Sequence, residues 1–368
     1  MKINFIDLQA QYKEYKAEID KEVLEVFQDA TFIGGQKLAN FENNLAKYVG
    51  VKHAIGCSSG TDALLLSLMA LGIGKGDEVI TTPFTFIATA EVIALVGAKI
   101  IFVDIEQDSY NIDATKIEAA ITSKTKAIMP VSLYGQCADM DEINSIAQKY
   151  NLMVIEDGCQ SFGATYKGKK SCALSHVGCT SFFPSKPLGA YGDGGAVFTD
   201  NDELAQKVRM LLNHGQNERY KHRYLGINGR LDTVQAVILD VKLRHFDKEL
   251  KLRQDNANRY LKGFENISNL YPPTIKADRD SVYAQYSIRL KDRDKLVDFL
   301  LKKSIPTAVH YPIPLHLQEV FANLGYKIGD FKISEMVCKE IVSLPMSPFL
   351  SLSEQNAVID AIMEYIND

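Results

Sequence analysis

Residues 126–157 read KAIMPVSLYGQCADMDEINSIAQKYNLMVIED. A short apolar run ends near Tyr134, a polar-faced helix is predicted from Asp139 to Tyr150, and a second apolar run closes at Asp157. Strand, helix and strand in that order make a crossover unit, which joins parallel neighbours. Working outward toward the N-terminus, EVITTPFT (78–85) reads as a strand stopped by Pro83, KIIFVDI (99–105) as another, and ATKIEAAIT (114–122) as a helix. The alternation predicts an α/β fold with a mostly parallel sheet covered by helices. Thr81 and Thr82, Tyr134 to Gln136, and Asp157 to Gln160 close three of these strands, and open α/β sheets hold ligands along the edge where such strands end.

From about Leu243 the pattern changes to a long helix rich in Lys, Arg and Glu. The strands YAQYSIRL (283–290) and PTAVHYPI (306–313) follow, with a closing helix from about Ser353. The reading is a large domain over 1–244 and a smaller α+β domain over 245–368. With 368 residues, 46% hydrophobic and 24% charged, the chain can bury two cores. A net charge of -5 supplies no basic field for nucleic acid or anionic lipid. No apolar run reaches signal-peptide or membrane-span length, so a cytoplasmic location is expected. Six scattered cysteines without CxxC or Cys/His ligand spacing predict neither a disulfide frame nor a metal site.

Chemistry concentrates in TSFFPSKPLGAYGDGGAVFT (180–199). Lys186 lies between two short apolar strands, flanked by Pro184 and Pro187 and followed by Gly189, Gly192, Gly194 and Gly195, which permit close backbone approach. Such a lysine suits covalent attachment of a cofactor better than a solvated charge. Twenty-nine residues earlier, VIEDGCQSFGA places Asp157 just past a buried strand, where a carboxylate can pair with a protonated pyridine nitrogen. Gln160 is either a ligand to the ring oxygen or substrate, or a turn-capping amide. SSGTDALLL starts a helix at Ser59, Gly60 and Thr61, whose amides and dipole can hold a phosphate dianion as well as serve a cap. Phe86, in PFTFIATA, is either a stacking partner for the ring or a core phenylalanine.

Together these residues resemble the DegT/DnrJ/StrS family of sugar aminotransferases, within fold-type I of the pyridoxal 5'-phosphate enzymes, whose prototype is aspartate aminotransferase. The resemblance runs from FIDLQAQY (5–12) to AVHYPIPLH (308–316) and covers nearly the whole chain. It implies Lys186 as the Schiff-base lysine and general base, Asp157 at the pyridine nitrogen, Gln160 near the ring oxygen and Phe86 on the ring face. It further implies Gly60, Thr61 and Ser181 at the phosphate. Asn228 matches an asparagine that reaches the phosphate of a neighbouring subunit, which implies a homodimer with shared active sites.

Within the family the chain is most similar to the subgroup making 3-amino sugars for bacterial surface polysaccharides such as O-antigen lipopolysaccharide, the WbpE/WlbC-like enzymes. That similarity implies transfer of an amino group from L-glutamate to UDP-2-acetamido-2-deoxy-3-oxo-D-glucuronate. A dTDP-3-keto-6-deoxyhexose and a 4-keto sugar are the alternative substrates. In HGQNERYKHRYLG (214–226) this chain has Glu218 and Tyr224 where the subgroup would carry further basic residues, leaving Arg219 and Arg223 as ligands for a uronate carboxylate. His310 and Tyr311 match substrate-side positions, and His316 is as easily a packed core histidine. Three other readings compete: a sugar dehydratase of the same fold, which would carry histidine at position 186; a cofactor-binding regulatory protein without turnover; and a Rossmann dehydrogenase. The last lacks a G-x-G-x-x-G between a first strand and its helix.

Overall fold

The computed structural model describes residues 2–265 and 267–367. Two helices lead in, α1 (Leu8–Asp29) and α2 (Gly35–Val49). A seven-stranded sheet is then assembled from β1 (His53–Cys57), β2 (Glu78–Thr81), β3 (Lys99–Phe102), β4 (Thr125–Ile128), β5 (Met153–Asp157), β8 (Val177–Ser181) and β9 (Gly195–Thr199). Its spatial order is β1-β9-β8-β5-β4-β2-β3, and β9 alone runs antiparallel to its neighbours. Helices α3 (Gly60–Leu71), α4 (Ala88–Leu95), α5 (Ala114–Ile117), α6 (Met140–Tyr150) and α7 (Asp202–Leu211) connect the strands. Two small ribbons, β6 (Thr165–Tyr166) with β7 (Lys169–Lys170) and β10 (Gln216–Glu218) with β11 (Lys221–His222), stand outside the sheet.

The period of two along each strand divides the sheet's side chains between two cores. Ala54, Ile80, Ile128, Val154 and Phe198 face one, with α2, α6 and α8 (Thr233–Arg244) over them. Their neighbours Ile55, Val79, Ala127, Ile155 and Val197 face the other, under α3, α4 and α7. Both faces are buried, so the strands read as continuous apolar runs.

The helix expected from Leu243 is two helices, with α8 ending at Arg244 and α9 (Phe246–Gly263) starting after His245. Helix α9 joins both halves, because Phe246 and Leu250 pack on the first core while Ala257 and Tyr260 enter a third. That third core gathers β12 (Tyr286–Arg289), α10 (Arg293–Lys302), β13 (Ile341–Leu344) and α12 (Leu352–Asn367), together with Ile3 from the chain's start. Helix α11 (Lys332–Glu340) begins on the Asp104 carboxylate, which accepts from the Ile333 and Ser334 amides at 3.0 Å each. PTAVHYPI does not form the expected strand. It makes a single bridge, Ala308 to Ser343, and Pro306, Pro312 and Pro314 explain why, since none can donate to a ladder. No helix among the described residues is long and apolar enough to cross a membrane.

The two halves are clasped at Asp139, the N-cap of α6. Its carboxylate accepts from Lys276 at 2.6 Å and from the buried Arg279 at 2.6 Å. Burial pushes the Asp139 carboxyl up, but Lys276 and Arg279 outweigh it and hold the group below the ordinary carboxylate value. A carboxylate depressed in the folded state contributes stability above its unfolded value of about 3.9 and loses it as pH falls through the folded value. Asp139→Asn is therefore expected to lower unfolding free energy by about 1–2 kcal/mol at pH 7, below the ~3–5 kcal/mol of a fully buried broken pair because Lys276 stays partly solvated. Urea titrations should show the gap from the parent protein unchanged between pH 7 and 5 and narrowing only below about pH 4.

Candidate active site

The site forms where parallel strands end. Asp157 closes β5, and its neighbour in register on β8 is Cys179, two residues before Ser181 and seven before Lys186. Asp157 is 4% exposed, and its two carboxylate oxygens are already engaged. Thr89 Oγ1 donates to Oδ2 at 2.7 Å, and the Cys159 amide donates to Oδ1 at 3.2 Å. These bonds set the plane of the carboxylate while leaving acceptor capacity for one more donor.

Lys186 lies in the turn after β8. Its amide donates to Phe183 O at 2.8 Å, Phe182 N–H donates to Gly194 O at 2.7 Å, and Ala190 N–H donates to Phe182 O at 2.7 Å. The backbone around the lysine is thus closed on itself. Burial lowers the Lys186 ammonium below the ordinary lysine value, and the nearby Cys159 and Asp157 only partly oppose that.

An anion cradle forms beside it. Ser59 caps α3 by accepting from the Asp62 amide at 3.0 Å. No hydrogen bond within the described residues takes the Gly60 and Thr61 amides, which lie in the first turn, where a helix has no internal partner for them. A Cβ on Gly60 would stand 2.6 Å from Ser181 Cβ and 3.0 Å from Cys159 Sγ, so only glycine lets the helix start approach β8 this closely. Ser181 Oγ accepts from the Phe183 amide at 3.2 Å, which leaves its own proton for an anion.

Above the cradle Gln160, 3% exposed, accepts the Tyr134 amide through Oε1 at 3.0 Å. A backbone N–H can only donate, so this contact fixes the amide's orientation and turns Nε2 to Tyr311 OH at 3.1 Å. The phenol accepts there and keeps its proton for the site. His310 pairs Nδ1 with Ser343 Oγ at 2.9 Å, and Tyr134 OH donates to the His310 carbonyl. Burial pushes His310 down to about 4, with the charge of Lys186 acting the same way, so the imidazole is neutral near pH 7.

Phe86 is 54% exposed and its ring centroid lies 6.2 Å from that of Tyr311, while Phe84 two residues earlier is the core phenylalanine. Arg219 and Arg223 sit apart on the exposed β10–β11 ribbon and its exit, stacked on Tyr220 and Tyr224. No hydrogen bond or ion pair joins them to the Lys186 cluster among the described residues. Asn228 is exposed and bridges Asn213, one residue from Gly229, whose carbonyl accepts the Ser58 amide at 2.9 Å. His316 is buried against Glu335 and Phe331, away from these groups.

Reading the sequence places Tyr134 at a strand end on the ligand edge without giving it a role, and passes over Thr89. Thr85 lies in the bend before α4 and Thr89 in its first turn, their hydroxyls 3.1 Å apart, and two threonines four apart beside a strand end were the available signal. The strand end marks Tyr134's place but not its role, which depends on the fold bringing residue 310 to it.

The donor set has a carboxylate, an amine of lowered basicity and an anion cradle at one strand edge, which fits pyridoxal 5'-phosphate. The chain matches the DegT/DnrJ/EryC1/StrS aminotransferase family over residues 13–363. It is 49% identical over 360 residues to the UDP-2-acetamido-2-deoxy-3-oxo-D-glucuronate aminotransferase of Pseudomonas aeruginosa, covering 98% of this chain and 99% of that one. It is 47% identical to a pleiotropic regulatory protein of Geobacillus stearothermophilus, covering 99% of each. The X-ray crystal structure of S. venezuelae DesV in complex with a ketimine intermediate superposes with a TM-score of 0.98 at 38% identity, covering 100% of this chain and 99% of that one.

Thr89→Val removes one donor from Asp157 at constant shape. A hydrogen bond to a charged group contributes about 1.5–3 kcal/mol, so the single-turnover rate with amino donor should fall roughly ten- to hundredfold. Stopped-flow absorbance checks this, and an unchanged rate would show that Cys159 alone suffices to hold the carboxylate.

Proposed function

The chain belongs to the DegT/DnrJ/EryC1/StrS aminotransferase family and is a pyridoxal 5'-phosphate-dependent enzyme, and from that premise we propose that it moves an amino group from L-glutamate to C3 of UDP-2-acetamido-2-deoxy-3-oxo-D-glucuronate. The observation carrying the substrate assignment is the 49% identity across both full lengths to a protein of that named activity.

The cofactor, when bound, supplies an electron sink for the electrons left when a proton departs from carbon. The protein supplies the rest. Gly60, Thr61 and Ser181 would hold the phosphate, Asp157 the ring nitrogen, and Phe86 one face of the ring. Lys186 would carry the cofactor and, as the free amine, would take and return the proton; burial lowers its basicity, which favours that free form. Neutral His310 and the Tyr311 hydroxyl face the sugar as hydrogen-bonding groups. Lysine rather than histidine at 186 favours transamination over dehydration.

The exposed ribbon supports a homodimer with shared sites. Arg219 and Arg223 have no carboxylate partner on their own chain among the described residues, and Leu225 beside them is 93% exposed. Phe27, Phe32, Ile33 and Phe183 add an exposed apolar set of the kind a second copy buries. In the dimer the arginines would meet the sugar carboxylate of the partner's site, and Asn228 its phosphate.

The test is a two-step single turnover followed by absorbance. L-Glutamate should bleach the visible band, and the UDP-3-keto uronate should restore it. UDP- and dTDP-linked neutral 3-keto and 4-keto sugars are expected to restore it at least about tenfold more slowly, the loss of a charged hydrogen-bonded contact. Recovery fastest with a dTDP sugar would overturn the substrate assignment, bleaching without recovery from any sugar would leave the sugar assignment unsupported, and no bleaching by L-glutamate would favour the regulatory reading.

A further inference from the structure

Lys242 of α8 is 2% exposed, deep behind the lysine loop. Its ammonium donates to the Gly189 carbonyl and lies 4.6 Å from the centre of the Tyr191 ring. Gln235, seven residues earlier and so two turns back on the same helical face, takes the Tyr191 amide through Oε1 at 2.9 Å and donates to the Tyr191 carbonyl at 3.4 Å. Between these two prongs Ile238 packs with Tyr191, and Leu239 lies in the same core as Leu188 and Ala190. A Cβ on Gly192 would stand 2.9 Å from Gln235 Nε2. The main chain from 189 to 191 is thus gripped from one helix.

That segment is also the far wall of the lysine turn. Ala190 N–H donates to Phe182 O at 2.7 Å, and a Cβ on Gly189 would collide with the Pro184 carbonyl. Residues 189–191 are thus tied to 182–184 by a hydrogen bond and close backbone contact.

A buried ammonium is unfavourable unless it is paired. Glu249 of α9, 2% exposed, faces it from one side, its carboxylate accepting from Gln11 Nε2 of α1 at 2.8 and 3.0 Å. Arg253, also on α9, donates to the Tyr283 carbonyl at 3.2 Å, and Tyr15 of α1 and Tyr191 complete the charged and titratable surroundings. Burial lowers Lys242 to about 8, with Glu249 opposing and Arg253 adding to the fall. An apolar side chain would fill this space without needing that compensation, but it could not bond the Gly189 carbonyl.

We infer that Lys242 and Gln235 are positioning residues for Lys186, fixing from α8 the main chain that aims the lysine's amine. The inference rests on Lys186 being the residue that carries the cofactor, and the test separates the two. In the full-length, cofactor-loaded enzyme, Lys242→Met and Gln235→Leu are compared with the parent by pH titration of the visible band without substrate. They are also compared by the bleaching rate at saturating L-glutamate, by cofactor affinity and by melting temperature.

A misaimed amine should move the titration midpoint by about half a pH unit or more and slow bleaching about tenfold, with cofactor affinity within about threefold of the parent. A merely structural role would lower the melting temperature and leave the midpoint in place, and that result in a soluble variant overturns the inference. Gln235→Leu, at a half-buried position, carries the test should Lys242→Met not accumulate in soluble form. Lys186→Ala is the control: if borohydride-reduced Lys186→Ala still gains the cofactor's mass, the attachment assignment itself falls. If it does not, and both variants titrate as the parent does, only the clamp falls.

Discussion

Strands β5 and β8 lie side by side and parallel, and the site depends on that pairing. Parallel neighbours cannot be joined by a tight turn, so the chain between Asp157 and Val177 must return to the sheet's opposite edge before β8 begins. Both strands then release their chains at the same edge. One release presents Asp157, and the other presents Ser181 and, a few residues on, Lys186. Strand β9 running back antiparallel closes the lysine turn, and its first residue, Gly195, lies against the Ser59 carbonyl at the start of α3. Carboxylate, amine and anion cradle therefore share one supporting lattice of backbone hydrogen bonds. A shift in any of these strands moves all three.

The electrostatics follow from the same burial. Partial burial pushes Lys186 and His310 toward their neutral forms, while the Asp157 carboxylate is compensated by a hydroxyl and an amide. The site thus places an amine of lowered basicity beside a carboxylate held by two donors.

Much of this was readable in the chain because it is encoded locally. The alternation over 78–157, the capped start of α3 and the glycine-flanked lysine are patterns within a few residues of one another. What was misread depends on distance in sequence. PTAVHYPI has the β-branched and aromatic composition of a strand, but its two prolines and Pro314 just beyond remove donors, and its one bridge is to the distant Ser343. Helix α9 looked like the first element of a second domain, yet Phe246 and Leu250 belong to the first core, which no property of the helix by itself reveals. Phe86 was ambiguous between ring partner and core because two phenylalanines stand two residues apart; only the fold shows that Phe84 is the one enclosed.

Lys242 was unreadable for a related reason. In sequence it is one cation in a helix that ends in basic residues, the usual place for a charge facing water and the helix dipole. Its burial follows from α8 being sandwiched between α1 and α2 on one side and the lysine turn on the other. Chemistry at Lys186 and stability in the helical layer are consequently joined through one carbonyl, that of Gly189. A residue chosen for the packing of α8 alone would be apolar, and the presence of lysine there is intelligible as a demand made by the turn it holds.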